Sequence, residues 1–341
     1  MPARAPRAPL PVPVPVPVPV AGDRPATVSL VGTVLNESAS IDALLASVAR
    51  QTRAPDDIVI VDGGSSDGTW ERLQAWTARL PLRALRRPGA TIARGRNQAV
   101  AAAAGDLVAV TDAGVRLDER WLEALTAGVH DGVDVVAGFF VPDAQSLFER
   151  AMGATVLPAR SDVAAATFLP SSRSILFRHS AWAAIGGYPE WLDYCEDLVF
   201  DLALKRAGCD FAFAPDAVVY VRPRSSLVVF FRQYYLYARG DGKADLWRQR
   251  HAVRYAAYLG ALALAWRALR RPPIWGIVVL GGLAYTRRPL ARLMPDLEGL
   301  APGEVAYAVA LVPIIRLVGD VAKMVGYPVG VVWRWRHRPS A

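Results

Sequence analysis

The stretch Asp57-Ile58-Val59-Ile60-Val61-Asp62-Gly63-Gly64-Ser65-Ser66-Asp67-Gly68-Thr69 decides how this chain folds. A run of β-branched residues ends on a carboxylate, Asp62, and small, turn-forming residues follow. The next segment places Trp70, Leu73, Trp76 and Leu80 on roughly one face. This pattern predicts a buried parallel strand, a tight loop and a helix. In open α/β sheets ligands bind beyond the carboxyl ends of the strands, where helix N-termini and unpaired backbone N–H groups gather. Asp62 is predicted at such an edge. Gly63 and Gly64 leave room for a planar ligand against the backbone, and Ser65, Ser66 and Asp67 are candidate caps for the helix near Thr69. An ordinary strand-to-helix turn has the same composition, so the neighbouring segments must decide.

Outward from it, the same unit recurs. Thr27 to Leu35 reads as the first strand, and Ser40 as the cap of a helix with Ile41, Leu44, Leu45 and Val48 at i, i+3, i+4 and i+7. Leu82 to Leu85 reads as a short strand, Ala93 to Ala104 as an Ala-rich helix, and Leu107 to Thr111 as another buried strand ending at Asp112. Successive βαβ units with right-handed crossovers give an α/β sheet. Further on, Asp118 is the expected cap of a short helix with Trp121, Leu122 and Leu125, closed by Gly128, and Val133 to Val141 is a strand. Asp143 to Pro170 reads as an insertion or mobile loop, Ser174 to Phe177 as a strand, and Ser180 to Gly187 as a short helix. Two separate strands are expected at Phe211 to Ala214 and Val218 to Val221.

Composition narrows the function classes. The chain has 341 residues, enough for a full-sized core. Apolar residues make up 53%, and the mean hydropathy of +0.22 is high for a soluble enzyme, so part of the surface is expected to meet lipid. The formal charge of +8 suits anionic lipid or a phosphate-bearing substrate. No aromatic-plus-basic RNA motif and no zinc-finger spacing occurs, which argues against nucleic acid. Cys195 and Cys209 have neither metal-ligand nor redox spacing, as for buried thiols in a reducing compartment. The Pro-Val repeat from Pro11 to Val20 forbids a helix and a strand ladder, so residues 1–26 read as an extended, disordered arm without the apolar helix of a signal peptide. The catalytic part is therefore expected to stay in the cytoplasm.

Several motifs stand in register: Asn36-Glu37, Ser47 with Gln51-Thr52, Val61 to Thr69, Arg96-Asn97, and Asp106 with Thr111-Asp112. Together, from about Thr27 to Gly240, they resemble the nucleotide-sugar half of family 2 glycosyltransferases of the GT-A fold, a Rossmann-like mixed sheet flanked by helices. The resemblance implies that Leu35, Glu37 and Asp62 contact the nucleotide base and ribose, with an arginine of the Arg94 to Arg96 stretch near the phosphates. It implies that Asp112 belongs to the acidic motif holding a divalent metal, Mg²⁺ or Mn²⁺, on the diphosphate. One departure stands out: the family writes Asp-x-Asp, and this chain writes Asp112-Ala113-Gly114. The missing carboxylate puts the metal site in question. Asp112 either ligates alone, with water and diphosphate oxygens completing the shell, or leaves more of the charge to the arginines.

The resemblance continues through Gly186-Gly187-Tyr188-Pro189-Glu190 and Cys195-Glu196-Asp197, followed by a helix from Leu198 to Ala207 stopped by Gly208. In the family the second member of this acidic pair is the catalytic base, which here is Asp197. Inverting transfer needs one carboxylate to take the proton of an acceptor hydroxyl, and no covalent nucleophile. Leu227 to Arg239 is an expected amphipathic helix ending at Gly240. Related enzymes line the acceptor and diphosphate side with such a segment, which makes Arg239 the candidate phosphate contact; a plain interfacial helix would snorkel Arg232 and Arg239 instead.

Beyond His251 the stretches Tyr255 to Trp266, Ile274 to Thr286, Val305 to Ile315 and Met324 to Trp333 are apolar and broken by arginines. None reaches the ~18–20 uninterrupted apolar residues of a spanning helix. They fit a hairpin of short, tilted spans or, preferably, re-entrant or interfacial helices with arginines on anionic headgroups. The expected organisation is an arm (1–26), a GT-A domain (27–240) and a hydrophobic, basic, membrane-associated helical region (241–341). The expected activity is inverting transfer of a sugar from a nucleotide-sugar donor to a hydroxyl, or to a lipid phosphate, at the cytoplasmic membrane face in cell-envelope glycan or glycolipid synthesis, and the hydrophobic, basic tail beside the site points to a membrane lipid or lipid-linked acceptor. The alternatives are a catalytically silent sugar-nucleotide sensor or membrane scaffold, supported by the lost carboxylate at Gly114, and a nucleotidyltransferase-like enzyme, which would want a second metal carboxylate or a Gly-rich phosphate loop with Lys. The sequence specifies neither donor sugar nor oligomeric state.

Overall fold

The computed structural model describes residues 25–337; the expected arm lies outside them apart from its last two positions. In chain order the elements are β1 (Val28–Val34), α1 (Ile41–Ala49), β2 (Asp57–Asp62), α2 (Thr69–Trp76), β3 (Leu82–Arg86), α3 (Ile92–Ala102), β4 (Leu107–Val110), β5 (Val115–Leu117), α4 (Trp121–Ala127) and β6 (Val133–Pro142). They continue with α5 (Leu147–Val156), β7 (Ile175–Arg178), α6 (His179–Ile185), α7 (Glu196–Arg206), β8 (Asp210–Val221), α8 (Leu227–Ala244), α9 (Arg248–Ala268), α10 (Ile274–Leu293) and α11 (Pro302–Arg336). One sheet runs β3-β2-β1-β4-β7-β6-β8-β5. Its first four strands are parallel, and β7 pairs antiparallel with both β4 and β6.

The opening stretch behaves as its pattern dictates. Ile58 to Val61 are buried on both faces of the sheet, and Leu73 with Trp70, Trp76 and Leu80 covers one side of it. The loops after β1 and β2 lock together: the Asn36 N–H donates to Ser65 Oγ at 2.9 Å, the Glu37 N–H to Thr69 Oγ1 at 2.8 Å, and the Ser38 N–H to Asp67 at 3.0 Å. Asp67 also accepts from the Thr69 N–H and hydroxyl, which holds its carboxyl well below the usual range. Expected caps differ in detail. Ser40 does not cap α1, because its hydroxyl turns back to Glu37. Asp118 accepts from the Arg120 N–H just before α4, and Gly128 closes that helix in a right-handed conformation.

Three sequence expectations are corrected. Asp143 to Pro170 is not a loose loop: it contains α5, whose Ala151 and Met152 join Phe230 of α8 and Leu311, Val312 and Ile315 of α11 in a third core. A helix that finds its apolar partners only in the tail has no local signal strong enough to announce it. The two expected strands at Phe211 to Val221 are one strand, β8, with a shift of register against β6 after Phe213. Helix α8 does not stop at Gly240 but runs to Ala244, because Gly240 and Gly242 are contact points: a Cβ at Gly240 would lie 2.6 Å from the Tyr194 carbonyl oxygen, and one at Gly242 would strike Tyr327 of α11.

The tail brings a fourth correction. Val305 to Ile315 and Met324 to Trp333 are halves of one 35-residue helix, α11, the one helix among the described residues long and apolar enough to cross a membrane. It lies along α8, with Gly319, Gly326 and Gly330 letting the two backbones approach, and 39% of its apolar window is buried inside the protein. Asp320, buried in α11, accepts from Arg254 and Tyr258 of α9 and Tyr285 of α10. By contrast Leu259, Leu262, Trp266, Ile277, Leu280 and Leu283 of α9 and α10 stand exposed.

Candidate functional site

A cavity of about 1070 Å³ opens at the carboxyl ends of β1 and β4, between the sheet and α7, α8 and α9. Leu35 and Glu37 after β1, Thr91 and Ile92 at the start of α3, Asp112 and Gly114 after β4, and Asp197, Tyr194 and Tyr237 near α7 and α8 all line it. Its centre is a buried arginine. Arg96, on α3 and 3% exposed, donates from Nη2 to Asp112 Oδ1 and from Nη1 to Glu196 Oε1, both at 2.6 Å. Its guanidinium lies over the Tyr188 ring, 5.5 Å from the centroid, and that ring stacks on Phe200 at 4.0 Å. The acidic motif after β4 and the acidic pair opening α7 are therefore clamped to one another by a single side chain. Two nearby carboxylates keep Arg96 protonated in spite of burial.

Asp197 is the second residue of α7, half-buried at the cavity wall, and its Oδ1 accepts the Leu198 N–H at 2.8 Å. The turn entering α7 is fixed by Cys195, whose left-handed φ of 65° aims the acidic pair inward. Burial pushes the Glu196 carboxyl up, to about 7, against the pull of Arg96 and with a further push from Asp197. The unfolded chain releases this proton near 4.5 and the folded chain only near 7, so the folded state binds more protons in between and loses stability as pH rises through that window. Glu196→Gln removes the effect. The denaturation midpoint of the wild type is expected to fall relative to that of Glu196→Gln between pH 4.5 and 7; parallel curves across this range would refute the assignment.

Of the residues singled out in the sequence, Leu35, Glu37, Arg96, Asp112 and Asp197 line the cavity. Three others do not. Asp62 is fully buried: its Oδ1 accepts the Gly64 and Ser65 N–H groups, both at 2.7 Å, so it shapes the loop after β2, and its Oδ2 has no partner among the described residues. Arg94 points the other way along α3 and pairs with Glu190 at 3.1 Å, tying the helix to the Gly187 turn. Arg239 pairs with Asp193 and packs under α11 instead of facing a phosphate. Arg96 itself is spent on carboxylates. A second arginine at the cavity is Arg173, just before β7, with Nε 3.6 Å from Asp112 Oδ2 and a hydrogen bond to the Tyr237 hydroxyl. Nothing in the sequence marks Arg173, since it acquires its neighbours only when β7 pairs with β4.

A metal would find limited purchase. Among the described residues no three acidic, His or Cys side chains converge. Asp112 presents one partly exposed carboxylate, and beside it a Cβ at Gly114 would meet nothing within 4 Å. This donor set fits a hard divalent cation that keeps several waters and takes its remaining oxygens from substrate phosphates, and it does not fit a closed protein cage.

Comparison with known proteins agrees with this architecture. Residues 29–180 match the model of glycosyl transferase family 2. The succinoglycan biosynthesis protein ExoA of Rhizobium meliloti (strain 1021) is 29% identical over 266 residues, covering 73% of this chain and 79% of that protein. A dolichol-phosphate mannosyltransferase of Pyrococcus furiosus is 28% identical over 116 residues, 33% of this chain and 32% of that one. Among solved structures, the mannosyltransferase PcManGT of Pyrobaculum calidifontis, determined with GDP-Man and Mn²⁺, superposes with a TM-score of 0.54 at 19% identity, covering 95% of this chain and 91% of that chain. Sheet order, the paired acidic motifs around Arg96 and these similarities agree: residues 29–180 carry the match to glycosyl transferase family 2, and the chain is a glycosyltransferase of the GT-A fold.

Proposed function

We propose that this enzyme transfers a sugar, with inversion, from a nucleoside diphosphate sugar to a hydroxyl of an acceptor presented at the cytoplasmic face of the membrane, in the synthesis of a cell-envelope glycan or glycolipid. The observation that carries this reading is the placement of Asp112 and Asp197 on one cavity, held in a fixed relation through Arg96 and Glu196. Leu35 and Glu37 form the wall for the nucleotide, and Arg173 sets a permanent positive charge beside Asp112 where the diphosphate would lie. Asp197 takes the proton of the acceptor hydroxyl as its oxygen attacks the anomeric carbon. The carbon–oxygen bond to the diphosphate breaks on the opposite face, and the nucleoside diphosphate leaves with the electron pair. When bound, a Mg²⁺ or Mn²⁺ ion held by Asp112 and the donor's own oxygens supplies neutralisation of the charge on that leaving group.

Residues 27–240 are read as the catalytic domain and 241–341 as the membrane-associated region. Support for membrane association comes from the exposed apolar side chains of α9 and α10, the arginines around them and the apolar length of α11. The test is a panel of nucleoside diphosphate sugars, scored by thermal shift and by turnover, with Mn²⁺ or with chelator. One donor is expected to raise the melting temperature by mass action and to turn over faster with metal. Gly114→Asp, which adds a carboxylate where space is open, is expected to lower the Mn²⁺ concentration for half-maximal turnover about tenfold. Nucleotide binding without turnover on any donor would favour a sensor.

A further inference from the structure

The cavity does not end at the reacting groups. Beyond Asp197 it continues into an arm walled by Asp241, Trp247, Arg250, His251, Arg254 and Lys323, which come from α8, α9 and α11. The arm is joined to the α7 entry directly. The Cys195 thiol lies 3.6 Å from Asp241 Oδ1, and Asp241 Oδ2 is 3.1 Å from the His251 ring. Arg254 is paired with Asp320 at 2.8 Å, and Asp241 is matched by His251, which leaves Arg250 and Lys323. Neither has an ion-pair partner among the described residues; Arg250 stands over the Trp247 ring at 4.0 Å and Lys323 over the Tyr234 ring at 4.7 Å. Two cations held by aromatic faces in a concave wall, neither in direct contact with a carboxylate although Asp241 and Asp320 lie near Lys323, form a site for an anion.

The same helix that supplies Arg250 and Arg254 continues into the exposed apolar surface. One to three turns further along α9, Leu259, Leu262 and Trp266 are each about two-thirds exposed, and Leu280 and Leu283 of α10 stand exposed in the adjacent helix. An anion seated in the arm thus lies on the same helix as these exposed apolar side chains, one to three turns away.

We propose that this arm is an acceptor subsite for the phosphate or diphosphate head of a lipid-linked acceptor, with Arg250 and Lys323 on the phosphoryl oxygens and the lipid chain along the exposed faces of α9 and α10. This rests on the transferase reading above: the sugar carried by the lipid would reach back toward Asp197, and the phosphoryl group would stay in the arm as a handle that takes no part in bond breaking.

The experiment uses the full chain and no donor. Binding is measured to phosphatidylcholine vesicles doped with a prenyl diphosphate, to the same vesicles doped with phosphatidylglycerol, and to free inorganic diphosphate. The double variant Arg250→Ala/Lys323→Met is compared with the wild type, its folding checked by thermal denaturation and its donor site by the thermal shift with nucleoside diphosphate. The expected result is at least about tenfold weaker binding of prenyl diphosphate vesicles, with phosphatidylglycerol binding and the nucleotide shift unchanged. Equal weakening on both vesicle types would reduce the arm to a general membrane-surface charge. Free diphosphate binding as tightly as the lipid form would make it a soluble-phosphate site. Unchanged binding to prenyl diphosphate would remove the proposal outright. Since no donor is present, a failure of sugar transfer in separate assays would bear on the transferase reading alone.

Discussion

Asp197→Asn is expected to lower sugar transfer by about 10²–10⁴-fold while leaving the thermal shift with donor nucleotide unchanged. The amide keeps the shape of the side chain and can still accept the Leu198 N–H that orients it. It cannot take a proton at the pH of the reaction. Asp197 comes from α7, whereas Leu35 and Glu37 follow β1, so the substitution leaves the proposed nucleotide contacts in place. A variant that transfers sugar at more than about a tenth of the wild-type rate would remove Asp197 from the base role. Loss of nucleotide binding would show that it holds the donor.

Arg96→Met is expected to destabilise the fold by about 3–5 kcal/mol and to abolish transfer, since it leaves buried Glu196 and its neighbour Asp112 without their shared cation. Deleting one partner of a buried ion pair costs far more than the pair's net contribution, because the remaining charge stays desolvated. Pairing the change with Glu196→Gln separates structure from chemistry. The double variant is expected to recover part of the stability, since one unpaired acid has become neutral, without recovering activity, since Asp112 has lost its hydrogen bond to Arg96 and keeps only Arg173 beside it. Equilibrium denaturation of the single and double variants measures this coupling. Strict additivity of the two losses would mean that the clamp does not exist.

These expectations illustrate how the two kinds of information divide. The stretch from Asp57 to Thr69 was readable because its signals are local: a β-branched run, a carboxylate and a capping loop dictate strand, turn and helix whatever surrounds them. The same holds for β1, β4 and α7. The acidic positions Asp112 and Asp197 were legible from motif spacing, and the cavity brings them together. The arginines were not legible. Arg94, Arg96 and Arg239 all looked like phosphate ligands, and long flexible cations carry no sequence mark of which carboxylate they will meet. Chain folding assigned them to Glu190, to Asp112 with Glu196, and to Asp193 respectively, and brought Arg173 beside Asp112.

What the sequence determined by itself is the alternating α/β sheet, the edge where the cavity opens and the acidic residues that line it, since each follows from periodicity or from residues a few positions apart. Tertiary structure alone decided that α5 is a helix, that two apolar stretches form the single helix α11 against α8, and that the tail contributes a basic arm to the cavity. The reason is separation along the chain. Ala151 meets Val312, and Asp241 meets the wall that Lys323 completes, across distances that no local pattern encodes, so only the packing free energy of the folded chain selects those contacts.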